Sequence, residues 1–178
     1  MPEYIATQAQ KALFAMQGRM KSSLGHIPPP LAIKMFDSYV LPILEYNCTF
    51  WSGAVEIPDI EKIQIGYLKN ILGVRRQTPT LSVYAETGRF PLRIRQLLNT
   101  TSYWAKIKKL PSHDILHKCL KIQESLCNAG QNNWYSKLRK VMVEVDITDW
   151  QSLNPNQVIN EVKLKLYTNE QTRILNDK

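Results

Sequence analysis

The punctuation of this chain constrains its fold more than any other feature. Proline and glycine fall repeatedly where helices start or stop, and no Asn-Gly or similar hairpin signal sits between alternating strands. Between these marks almost every segment carries apolar residues at helical spacing. From Glu3 to Leu24 the apolar positions are Ile5, Ala9, Ala12, Leu13 and Met16, with Gly25 and Pro28-Pro29-Pro30 ending the run. Leu31 to Trp51 is apolar on nearly every side, which predicts a central buried helix broken or kinked at Pro42 and closed by Gly53. Pro58 to Leu72 opens with Asp59 and Glu61 in its first turn and predicts a core face of Ile60, Ile63, Tyr67 and Ile71, with Gly73 at C′.

Thr78-Pro79 predicts an N-cap hydroxyl followed by proline at N1, starting a short helix that ends at Gly88. Pro91 opens the next helix. Ile94, Leu97, Leu98, Thr101, Trp104 and Ala105 share one side of its wheel, and Arg95, Asn99, Ser102, Lys106 and Lys109 form a narrow stripe on the other. Pro111 stops it. Further helices are predicted from about His113 to Leu126, ending near Asn128-Ala129-Gly130, from Trp134 to Val145, and after Asn154-Pro155. The expectation is an all-α chain, an irregular bundle of about seven helices. Its regions would be 1–112 and 113–178, divided at the Pro111–Asp114 break, with the last residues frayed.

Charge is distributed as unevenly as the helices are evenly marked. Arg75, Arg76, Arg89, Arg93, Arg95, Lys106, Lys108 and Lys109 lie in one stretch with a single anion, Glu86. That stretch carries +7 of the chain's +8, and the residues on either side nearly balance. A local cationic segment is the footprint of a polyanion ligand, most commonly nucleic acid. Tyr103 lies outside the apolar arc beside the basic stripe, where its ring is a candidate for base stacking. Lys137, Arg139 and Lys140 form a second cluster, whose field Glu144 and Asp146 are expected to dilute.

Catalytic chemistry is thinly represented. His113, His117 and Cys119 do not converge at metal-ligand spacing, and Asp146 and Asp149 read as turn caps. There is no Gly-rich phosphate loop, no G-x-S-x-G and no adjacent aspartate pair. No metal or other cofactor is expected. Cys48, Cys119 and Cys127 read as small buried hydrophobes. No apolar run is long enough for a membrane span, and MPEYIATQAQ lacks a secretory pattern, so an intracellular protein without a membrane partner is expected.

In order along the chain stand KALFAM, LPILEYNCTFWSG, IEKIQIGYLKNILGV, TPTLSVYAETGRFPL, YWAKIKKL and NNWYSKLRKVM. This succession, from about Lys11 to Trp150, resembles the C-terminal thumb and post-thumb region of reverse transcriptases from non-long-terminal-repeat retrotransposons, the LINE type, nearest the jockey-like group. The resemblance implies a helical region that grips a template–primer duplex and the element's RNA. It assigns nucleic-acid contact to Arg75, Arg76, Arg89, Arg93 and Arg95, with Tyr84 and Trp104 as framing core. The charge count selects the same arginines and adds Lys106 and Lys109.

In that family the catalytic aspartates lie in a palm N-terminal to this region. The expectation is therefore a fragment that is not itself an enzyme and binds RNA or an RNA–DNA duplex through backbone phosphates. It would do so beside a separate palm or by self-association. A helical protein–protein interaction module, or a transposon remnant without a function, is the alternative.

Overall fold

A computed structural model describes residues 2–23, 27–51 and 58–176. The chain is all-α: the regular structure of the described residues is helix throughout. In order these are α1 (Pro2–Ser23), α2 (Pro29–Tyr39), α3 (Leu41–Leu44), α4 (Cys48–Trp51) and α5 (Pro58–Leu72). Then follow α6 (Thr80–Thr87), α7 (Leu92–Lys108), α8 (Ile115–Asn128), α9 (Trp134–Glu144) and α10 (Pro155–Asn176). The stops expected at Gly25 and Gly53 lie outside the described residues.

The chain divides into two compact units. One comprises the described residues of 1–47 and 57–92, and the other those of 48–56 and 93–176. The sequence placed its boundary near Pro111 instead. The physical reason for the difference is that α7, from Arg93 onward, sends its apolar face into the same core as α9 and Trp150. Trp104 meets Trp150 edge-on, with ring centroids 4.9 Å apart, and Trp150 also meets Tyr135 at 5.4 Å. A proline can end a helix without ending a core.

In the first unit, α1 buries Ile5, Ala9, Leu13 and Met16, one stripe at i, i+4, i+8 and i+11. These share a core with Ala32 and Phe36 of α2, Leu41 and Leu44 of α3, and Ile60, Tyr67 and Leu68 of α5. Phe36 stacks on Tyr67 at 5.0 Å, and the Tyr67 hydroxyl donates to the Ala32 carbonyl at 2.9 Å. Burial pushes the Tyr67 phenol up to about 12. The face of α5 differs from the expected one. Gln64 is buried where an apolar residue is usual, and Ile63 and Ile71 are half-buried. Gln64 is tolerated because its amide donates to the Phe90 carbonyl at 3.0 Å.

The predicted buried helix from Leu31 to Trp51 is three short helices. Pro42 occupies the first turn of α3, so α2 ends before it, as expected of a residue without an N–H. A second break was not foreseen: Asn47 adopts φ +52° and turns the chain into α4. Each piece buries one side only, and Leu31, Tyr39, Tyr46 and Phe50 are exposed. Tyr4 and Phe14 of α1 are exposed as well, so apolar surface is open around the N-terminal helices.

In the second unit, α9 buries Tyr135, Leu138, Val141 and Met142, and α10 buries Val158, Val162 and Leu166. The helix ends are built by local chemistry. The Asp114 side chain accepts from the Leu116 amide at 2.8 Å, and Asn133 and Ser136 form a reciprocal capping box at the start of α9. Asp146, at φ +52°, is the C′ residue of α9, with the Ile147 amide donating back to the Met142 carbonyl. Asp146 therefore caps, as expected, although at a position that usually takes glycine.

The Tyr135 hydroxyl donates to Glu124 at 3.2 Å and accepts from Gln151 at 2.7 Å. Burial and the Glu124 charge raise this phenol above its usual range. Burial also pushes the Glu124 carboxyl up, but the hydrogen bond and charge of Lys121, with help from Tyr135 and Lys108, outweigh it and hold the group below its ordinary value. Cys48 and Cys127 are buried as expected, whereas Cys119 is exposed, because it falls on the outer face of α8. No helix among the described residues is long and apolar enough to cross a membrane.

Candidate nucleic-acid interface

Arg75, Arg76 and Arg89 belong to the first unit. Helix α5 ends in a Schellman turn: Gly73 sits at φ +66°, and the Val74 amide reaches back to the Lys69 carbonyl at 3.1 Å. The turn that follows is fixed by main chain. The Lys69 ammonium donates to the Arg76 carbonyl at 2.8 Å, and the Thr78 amide donates to the Arg75 carbonyl at 3.1 Å. Both guanidinium groups remain exposed, and neither makes an ion pair among the described residues. Thr78 is taken up in this turn and does not cap α6. That helix starts at Thr80, with Pro79 in the N-cap position and no side-chain hydrogen bond there.

Arg89 has a different role. One Nη2 nitrogen lies 2.6 Å from each carboxylate oxygen of Asp37 on α2, and the side chain is only 17% exposed. The whole stretch from Glu86 to Leu92 is fastened in this way. Gly88 at φ +63° ends α6, and Gln64 holds the Phe90 carbonyl. Glu61 accepts from the Tyr84 hydroxyl and, at 2.9 Å, from the Leu92 amide. Glu61 thereby satisfies one of the orphan N–H groups that open α7 and sets negative charge against the positive end of its dipole. Here the segment TGRFPL is a structural buckle.

Arg93, Arg95, Tyr103, Lys106 and Lys109 belong to the second unit. Arg93 forms a fork with Glu144, both N···O distances being 2.6 Å. Glu144 is therefore turned to Arg93, which corrects the expectation that it dilutes the field of Lys137, Arg139 and Lys140. Arg139 donates to Asn128 instead. Along α7 the predicted division of faces is observed except at Leu98 and Ser102, which are both half-buried. Ile94, Leu97, Thr101, Trp104 and Ala105 are buried, and Arg95, Asn99 and Lys106 are exposed. Arg95 and Lys106 are eleven residues apart, about 16 Å along the helix.

Lys106 makes no ion pair among the described residues, and Lys109 is exposed with its ammonium 2.6 Å from the Asn156 amide oxygen, a neutral partner. Tyr103 is half-buried, with its ring packed against Phe50 at 5.6 Å and edge-on to Trp134 at 5.9 Å. Its surface is largely spent on these neighbours. Tyr84 and Trp104 are buried.

Of the eight predicted site residues, Arg75, Arg76, Lys106 and Lys109 are exposed and make no ion pair among the described residues, Arg95 is exposed on α7, Arg89 and Arg93 are neutralised by carboxylates, and Tyr103 is packed among aromatic rings. The neutralising residues, Asp37 and Glu144, lie 52 and 51 positions away in sequence, and no local signal marks them. Among the described residues no group of three His, Cys, Asp or Glu side chains is placed to hold a metal ion. No family model, no curated protein and no solved structure matches this chain.

Proposed function

We propose that this chain binds RNA or an RNA–DNA duplex through backbone phosphates, without catalysing a reaction on it. The observation that carries the proposal is uncompensated charge. Arg75, Arg76, Lys106 and Lys109 are exposed and have no carboxylate partner among the described residues, in a segment with one anion. Such groups meet a polyanion without first breaking an ion pair, and they gain from release of its condensed counterions. Arg95 shares the exposed stripe of α7 with Lys106. The order of sequence blocks that resembles a retrotransposon reverse transcriptase thumb points to the same class of ligand. Phosphate contacts position a duplex without reading its sequence, so weak sequence preference is part of the proposal.

The test is a salt titration of binding to a fluorescent RNA and to an RNA–DNA duplex. Four to five contacts give a slope of log K against log salt of roughly −3 to −4.5, at ~0.7–0.9 per contact. Each of Arg75→Ala, Arg76→Ala, Lys106→Ala and Lys109→Ala should lower the slope by roughly one unit. Arg93→Ala should leave it unchanged, because that charge is already matched by Glu144. A slope near zero, or equal effects from both sets of substitutions, would remove the basis of the proposal.

A further inference from the structure

Helix α8 contributes nothing to the basic stripe, yet it carries the densest exposed apolar surface of the second unit. Its inner side buries Leu120 and Cys127. On its outer side Ile115 is 74% exposed, Leu116 44% and Ile122 58%, and Cys119 is exposed. Scattered exposed leucines need no explanation, but four neighbours on one helix of 14 residues do. Their spacing is informative. Ile115, Cys119, Ile122 and the half-buried Leu126 follow intervals of four, three and four, the d–a–d–a order of a seam between two paired helices. A strict seam of this width suits one helix lying alongside, and is narrower than the apolar face that helices bury in a globular core.

The charges around the seam indicate what kind of helix fits. Lys118 occupies the flanking g position, is exposed, and has no carboxylate partner among the described residues. Lys121 is 55% exposed and pairs with Glu124 at 3.0 Å. The two carboxylates of this region are both engaged: Asp114 caps the helix, and Glu124 accepts from Lys121 and Tyr135. A second copy of α8 would therefore bring Lys118 against Lys118, Ser125 or Gln123, with no anion to meet it. We propose that the exposed seam of α8 docks an amphipathic helix of another protein whose flanking positions are acidic.

Cys119 lies at the centre of the seam and is the exposed thiol of the three cysteines, so the unmodified protein contains its own reporter. The probe is a synthetic three-heptad peptide with Leu at a and d and Glu at e and g. A matched peptide with Lys at e and g is the control. The acidic peptide should bind the full chain at least tenfold more tightly by fluorescence anisotropy, and should slow maleimide alkylation of Cys119 at least tenfold. Ile115→Ser with Ile122→Ser should abolish both effects while leaving the circular dichroism spectrum intact, since both residues are exposed. Lys118→Glu should shift preference toward the Lys peptide. Arg95→Ala with Lys106→Ala should leave peptide binding unchanged, which separates this seam from the polyanion surface.

Failure of the acidic peptide to bind or to protect Cys119, or equal binding of the two peptides, would overturn the proposal. So would a dimer in sedimentation that the Ile115/Ile122 substitutions dissolve, which would make the occupant a second copy. Protection of Cys119 by phosphatidylserine vesicles but not by peptide would make it a lipid surface.

Discussion

Removal of the Arg89 guanidinium separates two accounts of the same residue. Arg89 stands in the basic segment and by charge alone is a phosphate contact, but its Nη2 nitrogen is 2.6 Å from both oxygens of Asp37. The pair is intermediate in environment, with side chains 17% and 38% exposed. Fully exposed pairs contribute about 0–1 kcal/mol, and breaking a fully buried pair costs about 3–5 kcal/mol. A hydrogen bond to a charged group contributes about 1.5–3 kcal/mol. Arg89→Ala should therefore destabilise the first unit by about 2 kcal/mol, part of it from lost contact along the arginine stem.

The residual penalty on Asp37 is small, because that carboxylate keeps some access to water. In a double-mutant cycle with Asp37→Ala the coupling should be about 1–2 kcal/mol. The Arg93–Glu144 fork is more open, at 36% and 44%, and Arg93→Ala should cost no more than about 1 kcal/mol. Urea unfolding resolves the two. All four tryptophans belong to the second unit, so their fluorescence follows it, while circular dichroism follows both. Arg89→Ala should shift the dichroism transition and leave the fluorescence transition in place. A coupling under about 0.3 kcal/mol, together with a salt slope lowered by one unit, would show that Arg89 is a phosphate ligand and the Asp37 pair incidental.

Glu61→Ala strips acceptors from the Tyr84 hydroxyl, the Gln64 amide and the Leu92 amide together. It should cost about 2–3 kcal/mol by urea titration, with Tyr84→Phe costing less than half of that. Tyr67, whose phenol is pushed up to about 12 by burial, gives the first unit an alkaline limit. The unfolded chain releases this proton near pH 10 and the folded one does not. The contribution is therefore complete below about pH 10 and is lost as pH rises toward 12. The stability gap between the parent and Tyr67→Phe should narrow over that range, and parallel curves would exclude Tyr67 as the cause. The purified chain should incorporate no deoxynucleotide into a primed template, since two-metal nucleotidyl transfer needs clustered carboxylates. Incorporation that survives removal of contaminating polymerase would refute the non-catalytic proposal.

Much of the local architecture was legible in the sequence, because its causes lie within one or two helical turns. Gly73, Gly88 and Gly130 all take positive φ at helix ends, where an L side chain would be strained. Pro42 ended a helix because it has no N–H to donate. The two faces of α7 followed from the 3.6-residue period alone. The +7 segment was visible by counting, but which of its charges are available was not. Only tertiary packing brought Asp37 to Arg89 and Glu144 to Arg93 across more than fifty residues.

Packing also made Gln64 a core residue by offering it a carbonyl. It set the ring of Tyr103 against Phe50 and Trp134, and it left one side of α8 uncovered. Helix ends are decided by backbone geometry that a few neighbouring residues fix. Neutralisation and burial are decided by which distant groups share a volume, and an ion pair is formed only where the fold has already covered the cost of bringing its members together.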